Sequence, residues 1–349
     1  MKFKYVILFS VVLYTLCIRC STAGGIYPIL IKTGGLFGDI AFSPDSRYLA
    51  LSGEYLPQNI GGTKLFDVPS WREIDIKNYS NVLGKPTDAA PIAWSPDSSN
   101  LFVLTGSNDL AIVDVRSSDV RSVWKTPYPY QITALLPITN EVIALIDDGL
   151  DYYDVGSGKK DPEFASSKCL DLEGVLHRVD GDLVFSSLGP NVVRRNIKSG
   201  KTIESKDLPG GAISLTISRN QKEIAVAYID RAKSLSGFNS KYVQLLNASD
   251  LGLIGDSIFV DDRFAVDRIL FDHDGQSLIL LLELPFTNPV TKEEEFDTLV
   301  ERLDLKSQQL SRLMPPIRAQ PKDMAESNDG RYLACSTSEG IYILDFKSK

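Results

Sequence analysis

The 349-residue chain reads as an all-β protein: a seven-bladed β-propeller of four-stranded blades, closed by the N-terminal strand in the last blade. Three observations predict this. A strand–turn–strand phrase recurs along the chain. Its spacing matches a four-strand repeat. A spare strand precedes the first repeat, while the last repeat has room for only three.

The phrase is sharpest as Phe42-Ser43-Pro44-Asp45-Ser46-Arg47-Tyr48-Leu49-Ala50 and Trp94-Ser95-Pro96-Asp97-Ser98-Ser99-Asn100-Leu101-Phe102. It returns in worn form as Phe271-Asp272-His273-Asp274-Gly275-Gln276-Ser277-Leu278 and Ser327-Asn328-Asp329-Gly330-Arg331-Tyr332-Leu333-Ala334. An apolar residue ends one strand. Pro fixes φ in the turn, and Asp or Asn followed by Gly or Ser favours the turn's hydrogen bonds or its positive φ. Degenerate turns at Asn140, Asp180-Gly181 and Asn220 complete the series, with steps of 52, 43, 40, 40, 54 and 55 residues. That makes seven units.

The three long steps carry extra polar stretches between second and third strands, at residues 54–62, 230–240 and 285–297. Exposed loop tips tolerate such insertions. In unit two the first three strands fall at residues 91–94, 100–105 and 109–114, and residues 122–125 lie in the fourth. Third strands end alike: Leu65-Phe66-Asp67, Ile112-Val113-Asp114, Tyr152-Tyr153-Asp154, Leu303-Asp304 and Ile343-Leu344-Asp345. Residues 26–32 form the spare strand. Pairing it with the strand around 341–345 closes the ring without open edges, and Pro28 suits an outermost strand.

The Ser-Pro-Asp turns resemble the WD40-like repeats called PD40, found in TolB-type periplasmic proteins and in the propeller domains of prolyl oligopeptidases. The third-strand Asp endings are similar to true WD40 repeats. The resemblance covers all seven units and is sharp in about four. It implies a fold more than a function. Three Trp residues, Trp71, Trp94 and Trp124, are too few for a Trp-docked quinoprotein ring, and no catalytic domain follows the last repeat.

Lys2 and Lys4, the apolar run from Tyr5 to Ile18, and Ser21-Thr22-Ala23 read as a secretory signal peptide over residues 1–23. Residues 24–349 are then a single domain, periplasmic or secreted and not inserted in a membrane after cleavage. An uncleaved N-terminal anchor is the alternative. Cleavage removes three basic residues (Lys2, Lys4, Arg19) and no acidic one, moving the net charge from −8 to −11. Such a surface repels nucleic acid and anionic membranes. With 43% hydrophobic and 23% charged residues, the chain is globular rather than disordered. Cys169 and Cys335 remain after cleavage, in the fourth and seventh units, too far apart to pair.

No catalytic or metal-binding constellation stands out, and no cofactor is implied. Lys198-Ser199-Gly200-Lys201-Thr202 ends like a phosphate-binding loop, but Arg195 stands where the first Gly belongs and the segment joins two strands. His177 and His273 lack ligand partners at recognisable spacing. No Gly-x-Ser-x-Gly elbow occurs. Asp45, Asp97, Asp274 and Asp329 read as turn-stabilising carboxylates rather than calcium ligands.

These features point to a non-catalytic propeller that binds a protein partner as a scaffold. The expected contact residues are on the inserted stretches: Glu54, Tyr55 and Leu56; Asp230, Arg231, Lys233 and Phe238; and Phe286, Glu293, Glu294, Glu295 and Phe296. Units five, six, seven and one are consecutive, so these stretches should crowd one arc of one face, with aromatic tips rimmed by charge. The alternatives are a propeller enzyme, such as a lactonase-like hydrolase with a metal in the central channel, and a sugar- or peptide-binding propeller. Inward carboxylate, Asn or His groups converging from several units would mark the enzyme.

Overall fold

The computed structural model describes residues 28–33, 35–55, 60–77, 91–105, 109–126, 132, 134–146, 149–164, 167–168, 176–179, 182–186, 190–230, 240–261, 264–289 and 292–347. The described residues contain no helix. Strand β1 (Ile29–Ile31) comes first. The first sheet holds β2 (Gly35–Phe42), β3 (Tyr48–Tyr55), β4 (Ile60–Asp67) and β5 (Arg72–Ile74). The second holds β6 (Ile92–Trp94), β7 (Asn100–Leu104), β8 (Asp109–Asp114) and β9 (Asp119–Lys125). The third holds β10 (Ala134–Pro137), β11 (Val142–Ile146), β12 (Gly149–Asp154) and β13 (Ser167–Lys168). The fourth holds β14 (Leu176–Val179), β15 (Asp182–Ser186), β16 (Asn191–Asn196) and β17 (Thr202–Asp207). The fifth holds β18 (Gly211–Ile217), β19 (Glu223–Asp230), β20 (Ser240–Asn247) and β21 (Leu253–Asp261). The sixth holds β22 (Ala265–Phe271), β23 (Ser277–Thr287), β24 (Glu294–Asp304) and β25 (Leu310–Arg312). The last holds β26 (Pro321–Glu326), β27 (Tyr332–Thr337) and β28 (Gly340–Asp345), with β1 as its fourth strand.

All pairing within the sheets is antiparallel. β1 pairs β28 as Ile29↔Ile343, Leu30↔Tyr342 and Ile31↔Ile341. The expected strand over 26–32 is therefore paired over three residues. Ile26 and Tyr27 lie outside the described residues, as do the whole signal segment and Cys169. No described helix is long and apolar enough to cross a membrane.

Composition explains the order of strands. Second strands such as β7 and β27 are buried throughout, as expected of strands covered on both faces. Fourth strands are less covered: β9 mixes half-buried and exposed residues, and β17 is exposed at all positions but one. The exposed large hydrophobics Ile29, Leu30, Val123, Ile203, Leu253 and Phe259 all lie on fourth strands.

Seven apolar clusters fill the interior, and each is shared by two consecutive sheets. One of them joins the last sheet to the first: Phe37, Leu49 and Leu51 meet Tyr332, Ala334, Ile341 and Ile343. Aromatic pairs cross the same seams. Trp94 stacks on Tyr48 and donates to the Ala41 carbonyl at 3.0 Å, while Trp71 meets Tyr332 edge-on.

The repeated turns do more than reverse the chain. Asp45, Asp97 and Asp329 each accept from a Ser hydroxyl two residues back, at 2.6–2.7 Å. Ser46 and Ser98 take φ values of 61° and 62°; Gly275 and Gly330 take 70° and 66°. These Ser hydroxyls also link neighbours: the Asp329 N–H donates to Ser46 Oγ and the Asp45 N–H to Ser98 Oγ, both at 3.0 Å. Asn140 Oδ1 receives the Asp97 N–H at 3.1 Å. The third-strand aspartates cap the next turn, as where Asp114 and Asp154 accept the N–H groups of Ser117 and Ser157.

Candidate functional site

Three regions gather polar side chains. One lies along the first strands. In β2, β18, β22 and β26 the register slips by one residue, leaving Gly38, Ile213, Asp267 and Lys322 as the extra residues of β-bulges. The residue after each bulge reaches to its neighbour. Ser214 Oγ accepts the Ile269 N–H at 3.1 Å. Asp323 Oδ2 accepts the Ile40 N–H at 3.2 Å, and Asp39 Oδ2 accepts the Ile92 N–H at 2.9 Å. Arg268 is the exception: its Nε donates to Asp323 Oδ1 at 2.6 Å.

The electrostatics of this region are those of crowded carboxylates, Asp323 buried and Asp39 and Asp267 half-buried. Burial, then the neighbouring Asp323 charge, pushes Asp39 up to about 7. Burial also raises Asp323, against the pull of Arg268. Asp323 in turn holds the Arg268 guanidinium above its ordinary value. Burial and Glu283 push Asp267 up to about 7. Three carboxylates thus approach from three sheets, but a guanidinium stands among them. Among the described residues no three His, Cys, Asp or Glu side chains are arranged to hold a metal ion. The sequence reading missed these residues. The signal was available: Asp39, Ser214, Arg268 and Asp323 each stand four residues before the first polar residue of their turn, Ser43, Ser218, Asp272 and Ser327.

The second region is the inserted stretches. Residues 285–297, read from sequence as a polar loop, are mostly a paired hairpin. β23 runs to Thr287 and β24 begins at Glu294, with Phe286 opposite Glu295 and Pro285 opposite Phe296. Among the described residues, β23 beyond Glu283, the last residue paired to β22, pairs with β24 alone, so Pro285 interrupts no second ladder there. Glu293 closes the tip by accepting the Asn288 N–H through its carbonyl at 2.9 Å. Asn288 also contacts Glu295 through its side chain. The Arg318 guanidinium sits 4.6 Å from the Phe286 ring centre and 3.7 Å from Asp297. Thr298 exchanges backbone hydrogen bonds with Ile317 and donates its hydroxyl to the Ala319 carbonyl. Residues 317–319 therefore brace the hairpin's base.

The other expected contact residues are placed less fully. Glu54 and Tyr55 end β3, opposite Gly61 and Ile60. Asp230 ends β19 opposite Ser240 and is buried at 2% exposure, so it belongs to the sheet rather than to a loop tip. Leu56, Arg231, Lys233 and Phe238 lie outside the described residues. First strands of the fifth, sixth, last and first sheets touch in that order, which brings the three stretches to neighbouring sheets.

A further cleft of about 370 Å³ lies among the turns of the fifth, sixth and last sheets, lined by Arg219, Asp272, His273, Glu326 and Asn328. Arg219 contacts His273 and Asn328 across it. Burial, then Asp272, pushes Glu326 up to about 7. Cys335 is a free, fully buried thiol, pushed well above its ordinary value by burial. Ser199 and Gly200 form the β16–β17 turn, with the Ser199 N–H on Asn196 Oδ1 and Gly200 at φ 66°.

No known family model matches the chain, and no curated protein matches it significantly in sequence.

Proposed function

We propose that residues 24–349 form a seven-bladed propeller, exported from the cytoplasm, that acts without catalysis as a scaffold for a protein partner. Support for the ring comes from seven four-stranded sheets joined by seven shared apolar clusters, the last returning to the first. The fourth strand given by β1 to the last sheet supports closure by the N-terminal segment. Support for export is the basic, apolar and small-residue order of the first 23 residues.

The single observation that carries the functional reading is the β23–β24 hairpin. Its strands have 11 residues each, against 5 and 6 in β7 and β8. It extends past its own first strand and presents Phe286, Phe296 and a run of glutamates on a hairpin braced at its base by residues 317–319. Rigid aromatic anchors ringed by charge suit recognition.

The test is capture of partners by crosslinking in the native envelope or secretome, followed by replacement of residues 231–239 and 285–296 with short Gly-Ser links. Loss of the crosslinked partner with an unchanged far-UV spectrum supports the reading. Retention by that folded variant moves the contact to the cleft among the turns or to the first-strand region.

A further inference from the structure

One face of the hairpin is more acidic than its surroundings neutralise. In an antiparallel pair, opposite residues share a face and faces alternate along each strand. Glu283, Pro285 and Thr287 therefore lie on the same face as Thr298, Phe296 and Glu294. Pro285, Thr287 and Glu294 are exposed and Phe296 is half-buried. At the base of this face stands Asp267, whose Oδ2 is buried without a hydrogen-bond partner among the described residues.

Among the described residues, the following groups act on Asp267 and Glu283. Asp267 feels Glu283, Lys322 and Arg268. Glu283 feels Gln320, Lys322 and Glu294, and burial raises it. Arg268 is already engaged by Asp323. Lys322 donates to Gln320 at 2.8 Å, and its charge acts on both Asp267 and Glu283, so one cation is shared between those two carboxylates. Arg318 is held over Phe286, which belongs to the opposite face. Negative charge thus exceeds positive along a strip that runs from the bulge of β22 toward the hairpin tip.

We infer that this face docks an extended cationic polypeptide segment of a partner, with lysine or arginine side chains against Glu283, Glu294 and Asp267 and apolar side chains on Pro285 and Phe296. The inference rests on the scaffold reading and adds the partner's chemistry. Positions 283 and 294 stand four residues apart along the hairpin, ~13 Å of backbone. That spacing fits cationic groups repeated along an extended chain better than one small ion.

The probe is a labelled ten-residue oligolysine, followed by fluorescence anisotropy at low salt. The parent chain should bind it and release it at high salt. E283Q/E294Q should weaken binding about tenfold or more. E204Q/D207N on β17 removes the same charge from exposed residues and should bind like the parent. Equal binding by the two folded double variants overturns the inference, because the attraction then belongs to the net charge. Absence of oligolysine binding by the parent overturns it too. Calorimetry in two buffers of different ionisation enthalpy gives a second readout. Binding at pH 7 should release protons, and Asp267→Asn should reduce that release; a parent that releases none overturns the role of Asp267. Should the native partner's crosslink depend on residues 285–296 while oligolysine fails to bind, the charge inference falls and the scaffold reading stands. Should oligolysine bind this face while the loop replacement leaves the native partner in place, the scaffold reading falls instead.

Discussion

Asp323 joins the first strands of three consecutive sheets through one carboxylate: its Oδ1 receives Arg268 Nε of β22 at 2.6 Å, and its Oδ2 receives the Ile40 N–H of β2 at 3.2 Å. The second bond spans 283 positions in the chain. Asp39 makes the same reach one sheet further on, to the Ile92 N–H. The first and last sheets are therefore tied by a charged, directional contact as well as by the apolar seam around Phe37 and Ile343.

Removing that carboxylate should cost more than one hydrogen bond. Asp323→Ala leaves the partly exposed Arg268 without its partner and the buried Ile40 N–H unmet, a change that costs about 1–3 kcal/mol. Asp323→Asn keeps an acceptor for Ile40 and should fall between parent and alanine variant. The double variant R268M/D323L removes both charges and should recover most of the loss. Urea unfolding midpoints report all three. A loss below about 1 kcal/mol for Asp323→Ala would show that the carboxylate is no tie.

The turn serines separate two effects. Ser98 holds φ at 62° and accepts the Asp45 N–H at 3.0 Å. Ser98→Ala loses the acceptor and keeps the strained backbone, so it should cost about 1–2 kcal/mol. Ser98→Gly loses the same acceptor but relieves the backbone, and should be more stable than alanine by about 0.5–1 kcal/mol. Thermal melts of the pair give the order. Alanine more stable than glycine would mean that unfolded-chain entropy outweighs the strain at this turn.

The turns were legible because each residue states a local rule. Pro44 fixes φ, Asp45 accepts within the turn, and Ser46 tolerates positive φ; none of this needs tertiary contact. The third-strand aspartates were legible as a pattern, and their capping role at Ser117 and Ser157 follows from the same local chemistry. Asp39, Arg268 and Asp323 were not legible singly, since their partners lie 53 to 283 positions away. Residues 285–297 misled the reading because Pro285 and three successive glutamates look like strand breakers. They pair because β23 has outrun β22 there, where a missing N–H is harmless. Asp230 misled it as a loop tip because an acidic residue beside Arg231 looks solvated; in the sheet it is buried opposite Ser240.

Closure by β1 can be probed at a single atom. Gly340 has φ +145°, and a Cβ there would lie 2.6 Å from the Ile31 carbonyl oxygen. Gly340→Ala should therefore push β1 off β28, lower the melting temperature and increase self-association. Deleting residues 1–33 should do the same more strongly, because it bares the β28 edge. Size-exclusion chromatography and melting curves check both. A deletion variant that elutes like the full chain and melts with it shows that β1 contributes nothing to closure.

Stability should fall as pH rises from about 4 to about 7. Burial pushes Asp39, Asp267 and Glu326 up to about 7, helped by the charges of Asp323, Glu283 and Asp272 respectively. The folded chain then keeps protons that the unfolded chain, with carboxylates near ~4, has already released. Wherever the unfolded state binds fewer protons, stability declines with pH. The turn carboxylates act in the opposite sense at lower pH. Hydrogen bonds from Ser117, Ser157 and Ser307 hold Asp114, Asp154 and Asp304 below their ordinary values. Their contribution is present above ~4 and is lost as pH falls through the depressed values. Maximum stability should therefore lie near pH 4–5, and the melting temperature at pH 5 should exceed that at pH 8. Asp39→Asn keeps an acceptor for the Ile92 N–H without titrating, so it should flatten the decline between pH 5 and 8 and raise stability most at the alkaline end. Melting curves at half-unit pH intervals for parent and variant give the slope. A parent slope of the opposite sign, or an Asp39→Asn slope equal to the parent's, would mean that these buried carboxylates are ionised in the folded chain throughout.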